Sequence, residues 1–261
     1  MKTLKRNLPL LSLFTLFLLF SCTKPSGVEV TEYFDVPDNY YRLYVGDGMN
    51  VTVTDEVDQI VITADENVMK KVIVNYSNGT LKINRTDFSV FGLLTAEVQL
   101  PYNSKLHDIQ VENSSKFISD FGIEGDIVKI EASSSGKLEI NYILANQLKV
   151  MLESSSKLTA DVDVFDKMDL FLDNSKADIT GSTIDLHLKM DSNASILRHW
   201  SYGGYEFSCD YCYGTMHNST AYLHCYDEIA VDLTFNSTLH CTGRPDIDDS
   251  TWDESSSIVF D

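Results

Sequence analysis

Basic residues are scarce. The chain of 261 residues carries 20 Lys and Arg against 39 Asp and Glu, a net charge of −19. A surface this acidic repels a phosphate backbone, which argues against nucleic acid as a partner and leaves cations or basic ligands. Long apolar runs are missing too. The longest, Leu8 to Phe20, has 13 residues, and a helix needs roughly 20 to cross a bilayer. No segment holds a helical pattern beyond about two turns; the best, Glu66 to Val72, is short. There is no nucleophile elbow, phosphate-binding loop, zinc-protease motif or Asp-Gly calcium loop. The chain therefore shows no catalytic signature, and no cofactor is expected. Apolar residues are not scarce: at 43% they can bury a real core, which excludes a disordered chain.

The N-terminus reads as an address. Lys2, Lys5 and Arg6 precede the apolar run, which ends in Leu19-Phe20-Ser21-Cys22. These are the flanks of a secretory signal, and the last four residues resemble a bacterial lipobox, in which cleavage falls before an acylated cysteine. Removing residues 1–21 takes away those three bases and no acid, so the mature chain is more acidic still. Acyl chains contribute roughly 0.8 kcal/mol per buried methylene, so Cys22 would anchor the protein stably to a membrane. Residues 22–27 form a polar tether. The expectation is a cell-envelope lipoprotein of the outer membrane, facing either the periplasm or the outside.

Alternation at period two runs through the rest, as in Val51-Thr52-Val53-Thr54 and Leu81-Lys82-Ile83-Asn84. It reads as half-buried strands, with Asn78-Gly79 as a hairpin turn. From residue 106 a pattern repeats. Polar corners begin at Asn113, Ser134, Ser154, Asn174, Asn193, Asn218 and Asn236, spaced 21, 20, 20, 19, 25 and 18 residues apart. An alternating strand precedes most corners and an apolar residue follows each. One such unit cannot enclose a core, but stacked units can. The predicted fold is all-β: a right-handed parallel β-helix, or β-solenoid, with coils of about 20 residues. Its domain spans 28–245, with N-terminal strands over 28–105 and repeated coils over 106–245; residues 246–261 form an acidic tail. A β-sandwich would need turn signals every 8–12 residues or so.

The segments Glu66-Asn67-Val68-Met69-Lys70-Lys71-Val72 and Asn78-Gly79-Thr80-Leu81-Lys82-Ile83 resemble the head GIN domain family of auto-transporter adhesins. So does Val98-Gln99-Leu100-Pro101 followed by Ile109 to Ser115, and the similarity covers roughly Tyr40 to Ser237. The resemblance implies a single β-helix-like domain of the kind found in Bacteroidetes envelope lipoproteins. One departure stands out: the family's corners often read Ser-Gly-Ser-Gly, whereas here most of those glycines are Ser, Asn or Lys. Either the corners do not all need positive φ, or Asn tolerates it.

Several residue groups are candidates for chemistry. Lys116, Lys137, Lys157 and Lys176 share one corner phase, and Glu112, Glu153, Asp173 and Asp191 lie just before the corners. They read as a ligand stripe for a glycan or a cation, or as a solvated solenoid face. Trp200, Tyr202 and Tyr205 lie in the longest repeat interval, where aromatics could stack on sugars. Four cysteines remain after Cys22: Cys209, Cys212, Cys225 and Cys241. An even count in an exported chain suggests disulfides, and stacking would set Cys225 near Cys241. The alternative is a zinc site of Cys209-x-x-Cys212 with His217, His224 or His240, which lacks the paired spacing of a finger. The functional expectation is a non-enzymatic, adhesin-like or scaffold module binding an unknown glycan or protein. The competing reading is a polysaccharide lyase or hydrolase, which would need paired carboxylates on an exposed face.

Overall fold

The protein is described by a computed structural model, which covers residues 25–37, 39–86, 95–201, 204–247 and 249–261. It is a β-solenoid of about seven turns. Cys22 and its leader lie outside the described residues.

The repeating coil is best seen from Lys137 to Glu153, one strand of 17 residues. Leu138, Ile140, Ile143, Ala145, Leu148, Val150 and Leu152 point inward and are buried. The alternation slips twice, at Asn141-Tyr142 and Asn146-Gln147, where the ladder register also shifts. Two successive outward residues turn the strand by a bulge while its hydrogen bonds continue. The coil therefore has three short faces, two bulged bends and one tight corner.

Each coil lies parallel and in register on the next. Leu138 faces Leu158, Val150 faces Leu170 and Leu152 faces Leu172. In the next interval Leu170 faces Leu188 and Leu172 faces Met190. Equivalent inward positions thus stack about 4.8 Å apart into one dry column.

The corners explain the Ser and Asn residues. Asn113-Ser114, Ser134-Ser135, Ser154-Ser155 and Ser192-Asn193 all have φ between 50° and 68°. Shorter corners use a single such residue, Asn174 at 47° and Asn218 at 48°. Two successive positive φ values make a type I′ turn, closed at one corner by the Gly136 amide donating to the Ser133 carbonyl at 2.9 Å. Positive φ is therefore used throughout, by Ser as well as Asn. The next residue of each corner is buried and small: Ser115, Gly136, Ser156, Ser175, Ala194, Ser219 and Ser237. The Ser175 and Ser156 hydroxyls bond to the coil before; Ser175 donates to the Leu152 carbonyl at 2.8 Å and Ser156 to that of Ala132 at 3.1 Å.

The N-terminal strands enter the same column out of sequence order. Arg42–Val45 and Met49–Thr54 flank an Asp47-Gly48 corner and form a coil. That coil is sandwiched between Thr80–Arg85 with Ala96–Pro101 on one side and Asp108–Val111 with Lys116–Ser119 on the other. The hairpin at Asn78-Gly79 pairs Val72–Ser77 with Thr80–Arg85, and Glu29–Phe34 pairs antiparallel with Ile60–Asp65. These antiparallel strands cover the solenoid's first edge. Glu66–Met69 forms a single helical turn capped by Asp65, whose Oδ1 accepts from the Asn67 amide at 2.9 Å. At the other end, residues 246–247, 251–252 and 257–260 pair parallel with the coil before them as a further rung.

Candidate functional site

Strand alternation dictates the lateral face that precedes the corners. Val128, Ile130 and Ala132 are buried, so Lys129 and Glu131 between them point outward. Register then stacks their equivalents. One column runs Asp108, Lys129, Lys149, Asp169, His187 and Tyr213. Its neighbour runs Glu131, Met151, Phe171 and Lys189. A groove of about 560 Å³ lies along these two columns.

The groove interleaves apolar and charged side chains. Met151 is 39% exposed, and the Lys189 ammonium lies 5.2 Å from the Phe171 ring centroid. His187 meets Tyr213 edge-on at 5.7 Å between centroids. Lys129 and Lys149 stand directly one above the other, and neither makes an ion pair among the described residues. The carboxylates are partly offset. Asp169 Oδ1 is 2.8 Å from Lys167 Nζ and 4.0 Å from His187 Nδ1. Burial, then the nearby Asp108 carboxylate, holds Glu131 above the usual carboxylate range. The groove thus presents apolar surface framed by three lysines on a chain whose net charge is −19. The sequence signal for it is the position five residues before the first positive-φ residue of a corner, which is Lys129, Lys149 and His187 in three coils and Asp169 in a fourth.

The lysines singled out from the sequence do form a column: Lys116, Lys137, Lys157 and Lys176 are successive register partners. Two of them are occupied by acids from the next outward column. Lys116 Nζ is 2.8 Å from Glu139 Oε1, and Lys157 Nζ is 2.7 Å from Asp178 Oδ2. Asp178 also meets His199, and these two partners outweigh its burial to lower its pKa. The acids preceding the corners stack separately, Glu153 on Asp173 on Asp191. Glu112 stands apart, accepting from the Tyr44 hydroxyl at 3.0 Å. Trp200 and Tyr205 pair across a two-residue antiparallel ladder that accounts for the long repeat interval; Tyr202 lies outside the described residues.

All four cysteines are buried and unbridged in this structure. Register sets Cys209 beside Cys225, whereas Cys225 faces Gly243 and Cys241 faces Leu223. The Cys225–Cys241 stacking suggested by spacing is therefore off by two residues, because the repeat interval there is 18, not 16. The histidines of the zinc alternative point the other way. His224 and His240 alternate with buried Cys225 and Cys241, and they bond outward to Thr242 Oγ1 at 2.8 Å and Asp261 Oδ2 at 3.3 Å. Among the described residues no three His, Cys, Asp or Glu side chains are arranged to hold a metal.

Ser26 and Gly27 are held against the domain. The Ser26 and Gly27 amides donate to Asp65 Oδ2 at 2.7 and 2.9 Å. The Ser26 amide foremost lowers Asp65 to a pKa of about 2. No helix among the described residues is long and apolar enough to cross a membrane.

Solved structures share this architecture. A putative adhesin from Parabacteroides merdae aligns with TM-score 0.74 at 16% identity, over 90% of this chain and 97% of its own. A putative lipid binding protein from Parabacteroides distasonis aligns with TM-score 0.75 at 14% identity, over 90% and 98%. A putative adhesin from Bacteroides fragilis aligns with TM-score 0.60 at 14% identity, over 90% and 98%. At such identities the likeness establishes the fold alone. No curated protein matches by sequence. The family model described as "Putative auto-transporter adhesin, head GIN domain" matches residues 39–197, more than half of the chain. With the solenoid and its corners in place, that match assigns the chain to the head GIN domain family.

Proposed function

We propose that this protein is a non-enzymatic, adhesin-like binding module, held at the outer membrane by acylated Cys22, whose ligand is an acidic saccharide. The observation that carries the reading is the groove along Lys129, Lys149, Met151, Phe171 and Lys189. Sugar rings offer an apolar face to side chains such as Phe171, and carboxylate or sulfate substituents match the lysines. The chain as a whole is strongly acidic, and the groove's lysines locally offset that repulsion for an anionic ligand. The family's adhesin description supports a binding role over catalysis. The lipobox supports the anchor, and the seating of Ser26 and Gly27 on Asp65 supports a tether that leaves the domain there.

Calorimetric titration of the mature chain with polygalacturonate, a neutral dextran and phosphatidylglycerol vesicles tests this. Binding to the polygalacturonate alone is expected, with no release of unsaturated or reducing sugars. Reversing both lysines (Lys129→Glu with Lys149→Glu) should weaken it about tenfold or more, and added salt should weaken it progressively. Acidification should strengthen binding, because Glu131 takes up its proton above the usual carboxylate range and the groove loses a negative charge. Glu131→Gln should bind more tightly at neutral pH and show a weaker dependence on pH. Binding unaffected by the lysine reversal, or confined to the vesicles, would overturn the reading.

A further inference from the structure

We infer that Cys209 and Cys225 form a disulfide that staples two neighbouring coils. The inference rests on the envelope reading above, since disulfides persist in oxidising compartments. Cys209 and Cys225 are register partners on adjacent parallel strands, a spacing of about 4.8 Å. A disulfide spans Cα separations of roughly 4.4–6.8 Å. Both side chains point into the core, and the Cys209 thiol touches those of Cys225 and Cys212.

The competing bond is Cys209–Cys212. Those residues lie along one strand on either side of a bulge, where the register shifts between Cys209 and Tyr211. Bridging them would pull the strand together across that bend. Cys241 is offset from the pairing: its register partner is Leu223, although its thiol reaches the backbone of Cys225. The thiols are unequal: contact with Cys209 chiefly lowers the pKa of Cys225, while Cys212, Cys225 and burial together raise that of Cys209.

In the step, the two thiols lose two protons and two electrons and an S–S bond forms. The acceptor is the disulfide of a thiol oxidant, small molecule or oxidoreductase, which is reduced to two thiols. Both cysteines are at most 1% exposed in the folded chain, so the exchange belongs to folding, before the last coils close over them.

No Lys or Arg occurs between Arg198 and Arg244, so one tryptic peptide contains all four thiols and cannot report their pairing. Cleavage before Asp210 and after Met216 separates Cys209, Cys212 and Cys225 from one another. Mapped this way, full-length protein from its own cells, alkylated before reduction, should show a Cys209–Cys225 link with Cys212 and Cys241 alkylated. Cys212→Ser should keep the link, and Cys225→Ser should leave Cys209 alkylated. Refolding purified chain with oxidised glutathione should form the same link. A Cys209–Cys212 bond, or four free thiols in the cell-derived protein, would overturn the inference. The mass of the N-terminal peptide separately reports whether Cys22 is acylated, and so whether the envelope reading has failed as well.

Discussion

The single residues that set this fold are those at its corners. An L-residue in the left-handed region costs roughly 1–2 kcal/mol, whereas glycine adopts it freely at an entropic cost of about 0.5–1. Ser135, at φ 67°, bears the first cost and makes no side-chain hydrogen bond among the described residues that a glycine would forfeit. Ser135→Gly should therefore stabilise the protein by about 0.5–1 kcal/mol, a rise of roughly 1–4 °C in melting temperature. Its neighbour should respond in the opposite sense. A Cβ on Gly136 would lie 2.3 Å from the Val111 carbonyl oxygen, so Gly136→Ala forces the coils apart and should cost about 1–3 kcal/mol. A thermal melt of both variants checks the pair, and equal effects would refute this account of the corner. The corners were legible in the sequence because Ser and Asn recur at one phase. Which of their residues turn left-handed was not, since a serine carries no local mark of its φ.

At the scale of the element, the bends were the least legible part. At Asn141-Tyr142 and Asn146-Gln147 the inward-outward alternation breaks, yet the ladder continues past both. Local pattern shows only that two outward residues occur in succession. Whether the hydrogen bonds stop there depends on the coil above. The stacked columns, by contrast, follow directly from period and phase. Glu153, Asp173 and Asp191 are successive partners, so three half-buried carboxylates stand about 4.8 Å apart in their backbones. Like charges at such a distance repel by about 1 kcal/mol per neighbour in water. The lysine column avoids this strain where Glu139 and Asp178 reach it. Asp173→Asn removes the central charge and should raise stability by roughly 0.5–1 kcal/mol at low ionic strength. Melting in about 1 M salt, where the screening length falls to ~3 Å, should erase the gain. A gain that persists in salt would point to packing rather than charge.

At the scale of the whole molecule, the solenoid is a quasi-one-dimensional stack whose ends decide its solubility. The 20-residue period foretold the stack, but not that residues 42–54 would enter it between 80–85 with 96–101 and 108–111 with 116–119. Parallel partners are chosen by long-range packing, and every coil presents much the same pattern. The two ends are built differently. Antiparallel strands close the first, while the last rung is made of residues 246–247, 251–252 and 257–260, with Trp252 and Phe260 about half exposed. The acidic tail therefore acts as a lid: it pairs with the edges of Thr220–Thr234 and Thr238–Gly243 and brings Asp249, Asp253, Glu254 and Asp261 to an edge that would otherwise template further strands. Asp253 ties this lid down, accepting from the Phe235 amide at 2.8 Å, the contact that foremost lowers its pKa to about 2. The proton linkage follows: the native state holds Asp253 deprotonated more firmly than the unfolded chain does, so its contribution is complete above about pH 4 and is lost as pH falls through about 2. Deleting residues 246–261 should lower the melting temperature by about 5 °C or more and promote self-association. Hydrogen exchange should quicken over Thr238–Gly243 and leave Lys157–Asp173, several coils away, unchanged. Uniform acceleration along the whole chain would show instead that the coils unfold as one unit.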